Sequence, residues 1–418
     1  MTTLQKLLLL VVAAMLLPAA SAQAQQLKDL QYYRSPDRTG LNVFEAPKEA
    51  AVPFDGLFVR LGGDFAIQFQ GISQSNDEGT LVELANNFAL PTANLNADIQ
   101  IAQGLRMHLR TYLSSRHHNE AWVKGGYFQV DDLAFIREGF LAGVMEHTRF
   151  RFGMDEINYG DTHFRRSDNA RALYNPFVEN YIMDAFSTEP FAEVTVMNAG
   201  FLGVVGVSNG RLNQSPTEGD DGIAMYAKAG YDRQLNDALR VRLTGSVYHS
   251  TDASTRDYLY NGDRAGSRYY NVLEAVGEER PSDFLPRFNP GFPHQTAFQV
   301  NPFVKFHGLE VFGVLERSQG SGDDMGGFTQ LGGEALYRFG PNEAFYAGGR
   351  YNVVTGEATD GGATKEITRL NLGGGWFLTP NVLAKAEYVT SSYDGDGFTG
   401  KYAGAEFSGV VVEAVISF

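Results

Sequence analysis

Arg106, His108 and Arg110 stand at every second position of one short stretch, with Tyr112 completing their row. Side chains two residues apart share a face of an extended strand, and Leu105, Met107, Leu109 and Leu113 take the other face. Three basic groups in a row can hold an anion or line a watery passage. On a soluble sheet the same row would simply face solvent. Further bases fall at equivalent positions of other alternating segments: Arg149, Arg151, Arg240, Arg242, Lys305, Arg338, Arg350, Arg369 and Lys385. Acids on that face are fewer, among them Asp64, Asp98, Glu310, Glu334 and Glu387.

A second polar cluster occupies the connection from Asp155 to Pro190. It holds Asp155, Glu156, Asp161, Asp168, Glu179, Asp184 and Glu189 against Arg165, Arg166 and Arg171. A loop this long, carrying Phe164, Tyr174, Phe177 and Tyr181, is expected to fold back on the molecule rather than float. Facing an arginine-rich wall, it would set a transverse field that orients dipolar solutes and tunes ion preference. Alternatively, the two sets of charges pair as structural salt bridges.

Other chemistry is poorly supplied. Nucleophilic catalysis needs a hydroxyl or thiol oriented by a base, and no Ser/His/acid grouping falls on neighbouring wall positions. Asp394-Gly395-Asp396-Gly397, Asp323-Asp324 and Asp220-Asp221 offer oxygen ligands without a complete calcium set. His117-His118 beside Glu120 would diverge to opposite faces of a strand. Gly373-Gly374-Gly375 precedes no helix and cannot cradle a phosphate, so no cofactor is expected. The formal charge of −15 argues against a nucleic-acid partner.

The elements that would position these groups are strands. Val59, Leu61, Phe65, Ile67 and Phe69 alternate with Arg60, Asp64, Gln68 and Gln70; Leu95, Ala97, Ile99 and Ile101 alternate with Asn94, Asn96, Asp98 and Gln100. Similar segments are expected at 133–144, 148–154, 191–199, 201–208, 222–232, 239–250, 296–307, 309–317, 328–339, 344–354, 365–378, 382–391 and 402–418, sixteen strands in all. Short turns near Gln103, Glu146, Gly200, Asn236, His307, Pro341 and Pro380 alternate with long polar loops at 74–92, 115–132, 155–190, 209–221, 251–295, 318–327, 355–364 and 392–400.

The chain opens with Lys6, an apolar run from Leu7 to Leu17 and Ala22-Gln23-Ala24, the pattern of a signal peptide over 1–24 cleaved near Ala24. Residues 25–56, broken by Pro36, Pro47 and Pro53, form an N-terminal segment on the periplasmic side, and 57–418 form the sheet. No cysteine is present, so neither disulfides nor a lipidated cysteine can anchor the chain. The expected fold is therefore all-β: a closed antiparallel transmembrane β-barrel with lipid outside, short periplasmic turns, long external loops and the third loop folded into the lumen. Around sixteen strands leave an aqueous channel, so passage of small hydrophilic solutes is the expected role. A plugged structural or adhesion barrel and an outer-membrane enzyme are the alternatives.

The closing strand puts Val410, Val412, Ala414, Ile416 and the terminal Phe418 on one face, which resembles the signal that bacterial outer-membrane barrels present to their assembly machinery. With the two-signed lumen and the long third loop, the mature chain resembles the bacterial outer-membrane porins of the general diffusion type. Asp55-Gly56-Leu57 and the run from Arg165-Arg166-Ser167-Asp168-Asn169 to Asn175-Pro176-Phe177 are similar to proteins near the phosphate-selective porins O and P. These resemblances imply an outer-membrane homotrimer and, from the narrower one, arginines and lysines that favour oxyanions. The net acidic third loop departs from that narrower pattern.

Overall fold

The computed structural model describes residues 29–112, 122–166, 170–185, 188–211, 222–250, 259–260, 270–277 and 286–418. The expected signal peptide, Asp168, the His117-His118 pair and Asp220-Asp221 lie outside them. Sixteen antiparallel strands form the wall: β1 (Phe58–Ser75), β2 (Asn87–Ala102), β3 (Leu105–Tyr112), β4 (Trp122–Val130), β5 (Thr148–Glu156), β6 (Thr188–Asn198), β7 (Phe201–Ser208) and β8 (Ala224–Gln234). The second half comprises β9 (Leu239–Ser250), β10 (Gln295–Phe306), β11 (Leu309–Gly320), β12 (Met325–Phe339), β13 (Phe345–Thr359), β14 (Thr364–Thr379), β15 (Val382–Asp394) and β16 (Glu406–Ser417). Each pairs with its neighbour in sequence, and β16 pairs with β1 from Asp64 opposite Ser417 to Ser75 opposite Glu406, closing the barrel.

Alternation decides which face is which. On β3, Arg106, His108 and Arg110 point inward and are buried, and on β16 Val410, Val412 and Ile416 point outward while Glu413 is wholly buried. Outward apolar residues run round the wall, with aromatic rings stacked along the rim next to the short turns. Phe339 and Phe345 lie 5.8 Å apart and Phe345 and Trp376 5.7 Å apart, the girdle expected at a membrane interface.

Several connections differ from the sequence expectation. The fourth strand is Trp122–Val130, not 133–144. Gly125 and Gly126 interrupt its alternation beside a bulge, and a Cβ on Gly125 would sit 2.4 Å from the Met154 carbonyl, so the stretch carries little periodic signal. Residues 131–147 instead form turns and a single-turn helix, α1 (Ala142–Met145), with Leu141 in a left-handed conformation. Arg137 and Glu138 are exposed there. The expected short turn near Glu146 is thus a longer excursion. The expected loops at 318–327 and 355–364 shrink to 321–324 and 360–363, because β11 to β14 extend further than their apolar alternation.

The interior is not empty. The third long loop enters the bore, and Tyr159, Val178, Tyr181, Ile182 and Met183 are buried within it. From the 251–294 connection, Tyr260, Tyr270, Leu273 and Phe292 pack in the same cluster as the inward Tyr226, Tyr248 and Phe328.

Leu315 lies half-way along β11 on the outer wall, opposite Val300 and Leu331. Leu315→Arg is expected to destabilise the barrel by about 2–4 kcal/mol in lipid bilayers, the cost of a base at the midplane. Equilibrium unfolding in vesicles measures it.

Candidate functional site

Strand β5 ends at Glu156, and the chain then turns into the bore instead of outward. Charges fasten it there. The Asp161 carboxylate accepts hydrogen bonds from Lys228 at 3.0 Å, from Arg242 Nε and Nη2 at 2.9 Å each, and from Thr244 at 2.7 Å. Glu334 takes Arg165 and, at 2.7 Å, Arg350, whose Nη1 also donates to the Glu179 carbonyl at 2.7 Å. Glu413, on the closing strand, pairs with Arg166 at 3.1 Å and Lys385 at 2.8 Å. Lys385 donates onward to the loop carbonyls of Ala172 and Phe177 at 2.9 Å and 2.7 Å.

The basic positions picked out from the sequence therefore divide. Arg242, Arg350 and Lys385 clamp the third loop, while Arg369 donates to the Pro286 carbonyl at 2.9 Å and secures the segment above it. Arg338 pairs with Glu310 at 2.8 Å, and Arg240 with Asp232 at 2.7 Å. Glu179 lies buried among the loop residues.

Arg106, His108, Arg110, Arg149 and Arg151 form the other group, on β3 and β5 either side of β4, and they border a hollow of about 140 Å³. Its floor and far side come from Arg171 and Tyr174 of the third loop and from Tyr33, Arg34, Pro36 and Phe44 of the N-terminal segment. Asp98 bridges Arg106 at 2.8 Å and His108 Nδ1 at 2.9 Å. Arg151 reaches Glu193 at 3.2 Å and Asp155 at 3.3 Å; Glu156 lies between Arg110 at 3.5 Å and Arg171 at 3.4 Å. Arg149 pairs with Asp131 at 2.8 Å. Arg106 Nε, His108 Nε2 and Arg151 Nε are buried with no hydrogen-bond partner among the described residues. Buried polar atoms are normally satisfied, so these three stand out among the hollow's lining.

Sequence reasoning missed Lys228, Glu413, Asp131 and Tyr127, whose ring lies 4.2 Å from the Arg151 guanidinium. Lys228 and Glu413 had one signal, a lone charge at an inward position of an otherwise apolar or small stretch. The N-terminal contribution had none beyond the aromatic residues Tyr32, Tyr33 and Phe44 in a proline-broken run.

Loop electrostatics have two signs. Burial alone would raise the Asp161 carboxyl, yet Arg242 and Lys228 hold it far below the carboxylate range. Burial, with Lys228 and Arg171 beside it, pushes the His163 imidazole well below its ordinary value and keeps it neutral. Asp184 is raised well above its usual range by burial, only partly offset by Arg287, and Glu179 beside it is raised by burial too.

No protein-family model matches the sequence, and no curated protein matches it either. Solved structures do match its fold. It is similar to the outer membrane channel DcaP of Acinetobacter baumannii at a TM-score of 0.54 and 12% identity, over 88% of this chain and 99% of that one. An anion-selective porin from Comamonas acidovorans gives 0.53 and 12% identity over 87% of this chain and all of that one, and OprB of Pseudomonas putida 0.52 and 10% over 87% and 94%. The chain has the fold of an outer-membrane porin.

Asp161→Asn leaves Lys228 and Arg242 short of a buried counter-charge. It is expected to cost about 3–5 kcal/mol, read by chemical unfolding, and to open residues 157–185 to limited proteolysis. The raised carboxyls at Glu179 and Asp184 contribute stability that is complete below the ordinary carboxylate range and is lost as pH rises through their folded values. Amide exchange over residues 179–185, normalised to an unfolded peptide, is therefore expected to quicken from acid to neutral pH. Asp184→Asn, which mimics the protonated form, is expected to flatten that dependence.

Proposed function

We propose that the protein is a porin-type channel of the outer membrane of a Gram-negative-type bacterium, passing small hydrophilic solutes by passive diffusion and favouring anions, phosphate-like oxyanions among them. The observation that carries this is the hollow beside β3 and β5. Its lining has Arg34, Arg106, His108, Arg110, Arg149, Arg151 and Arg171 against Glu45, Asp64, Asp98 and Glu193. Six arginines outnumber the four carboxylates there, and Asp98 and Glu193 are engaged by Arg106 and Arg151, so an anion meets a net positive lining. The similar structures, one an anion-selective porin and one an outer membrane channel, support this reading.

The role is transport and not catalysis. His108 and Asp98 have the form of a base with its orienting carboxylate, but the second ring nitrogen meets no hydroxyl or thiol among the described residues. The leader over 1–24 suits export, the outer wall suits membrane lipid, and the terminal Phe418 suits capture by barrel assembly machinery. We assign a homotrimer and no nucleic-acid partner. A plugged structural barrel is the second reading, favoured by Tyr260, Tyr270, Leu273 and Phe292 lying buried inside the bore.

Planar-bilayer recordings separate the two, since a channel gives discrete conductance steps and a plugged barrel does not. Arg106→Gln with Arg110→Gln is expected to move the reversal potential in a salt gradient toward cations. An unmoved potential would remove the anion-selecting role from this arc.

A further inference from the structure

The N-terminal segment does not hang below the barrel. Leu30, Gln31 and Phe44 are 3%, 2% and 2% exposed, values of a core and not of a tether. Its fastenings lie on distant sectors of the wall. Tyr33 donates to Asp98 on β2 at 3.2 Å, Asn42 donates to Glu310 on β11 at 2.8 Å, and Glu45 accepts from Arg242 on β9 at 2.8 Å. In the closed strand order, β2 and β9 to β11 stand on roughly opposite sides, so the chain between these anchors crosses the bore.

The same segment is joined to the third loop. Arg34 donates to the Phe164 carbonyl at 2.9 Å, and the Tyr174 hydroxyl donates to the Ser35 carbonyl. Arg242 grips Glu45 and Asp161 together, so one guanidinium ties both insertions to the wall. Between them lies the arginine-lined hollow, and Tyr33, Pro36 and Phe44 face the arginines across it.

We propose that residues 29–48 are a built-in selectivity insert, the second jaw of the constriction, which narrows the path from the short-turn end and sets which solutes reach the arginines. This rests on the channel function proposed above. A constriction made by the third loop alone would leave the arc open on one side. With the insert in place, a solute must pass between an aromatic, partly cationic surface and the arginine arc, so both size and charge are read at one point.

The chain has no cysteine, which permits a clean test on the full-length protein. Pro36→Cys places a single thiol on the hollow's lining. Ala46→Cys, also on the lining, is a second and milder variant. Each is treated in planar bilayers with a methanethiosulfonate reagent that attaches either a sulfonatoethyl or a trimethylammonioethyl group. Both labels are expected to lower single-channel conductance by half or more. The sulfonate is expected to move the reversal potential toward cations and the ammonium toward anions, and dithiothreitol is expected to reverse every effect. Labelled channels, confirmed by mass, whose conductance and selectivity do not change overturn the insert and leave the channel standing. A folded, inserted barrel that shows no conductance steps even before labelling overturns both.

Discussion

A sheet in hydrocarbon must leave no backbone donor or acceptor unpaired, because each such group costs several kcal/mol and no water is there to take its place. The pairing of β16 with β1 meets that demand, and much else descends from it. Closure fixes the register, the register fixes which residues alternate inward, and a strand of lipid-facing valines and leucines has only its inner face for charge. The ionisable groups of the wall are thus brought together in one confined space by a requirement of the backbone, before any function is considered.

Confined charges are partly desolvated, and that obliges them to find partners. Breaking a buried pair by removing one member is costly, whereas forming it returns little beyond the desolvation penalty. Such pairs serve specificity of position more than stability. Asp161, Glu334 and Glu413 each collect two cations, one or both from the wall, and each collection holds the third loop at a different point round the bore. Hydrophobic rings fill the gaps, with Phe44 edge-on to Phe303 at 5.4 Å and to Phe164 at 6.0 Å. The loop is held by geometry that neither a purely apolar nor a purely polar lumen could specify.

How legible this was from the sequence depends on the range of the interaction that carries it. Period-two alternation is local, so the inward Arg106, His108 and Arg110 and the outward Val410, Val412 and Ile416 can be assigned residue by residue. Closure and strand number follow from counting such segments. The fourth strand escapes because Gly125 and Gly126 erase the local pattern where the backbone bulges, while the apolar run 133–144 imitates a strand it does not form. The entry of the third loop was readable from its length and its buried-type residues. Which arginines would clamp it and which would stay beside a hollow was not, because Arg166 meets Glu413 across 247 positions and Asn42 meets Glu310 across 268. Pairings at that separation belong to the closed barrel, and no periodicity encodes them.

Counting arginines therefore overstates the field inside the bore. Arg350 and Lys385 are spent on loop carbonyls and on Glu334 and Glu413, and their charge is largely cancelled within a few ångströms. On the channel function proposed above, what would remain to act on a passing solute is the excess of arginines over carboxylates round the hollow beside β3 and β5. On the same proposal, an acidic protein would in this way present a cationic constriction. Its excess carboxylates elsewhere are screened by water and salt over roughly 10 Å, whereas the arginines lining the hollow act at close range and in a lower dielectric. Selectivity, on the proposed channel function, is a property of the charge balance at one arc, and it is compatible with a net negative chain and with a net acidic third loop.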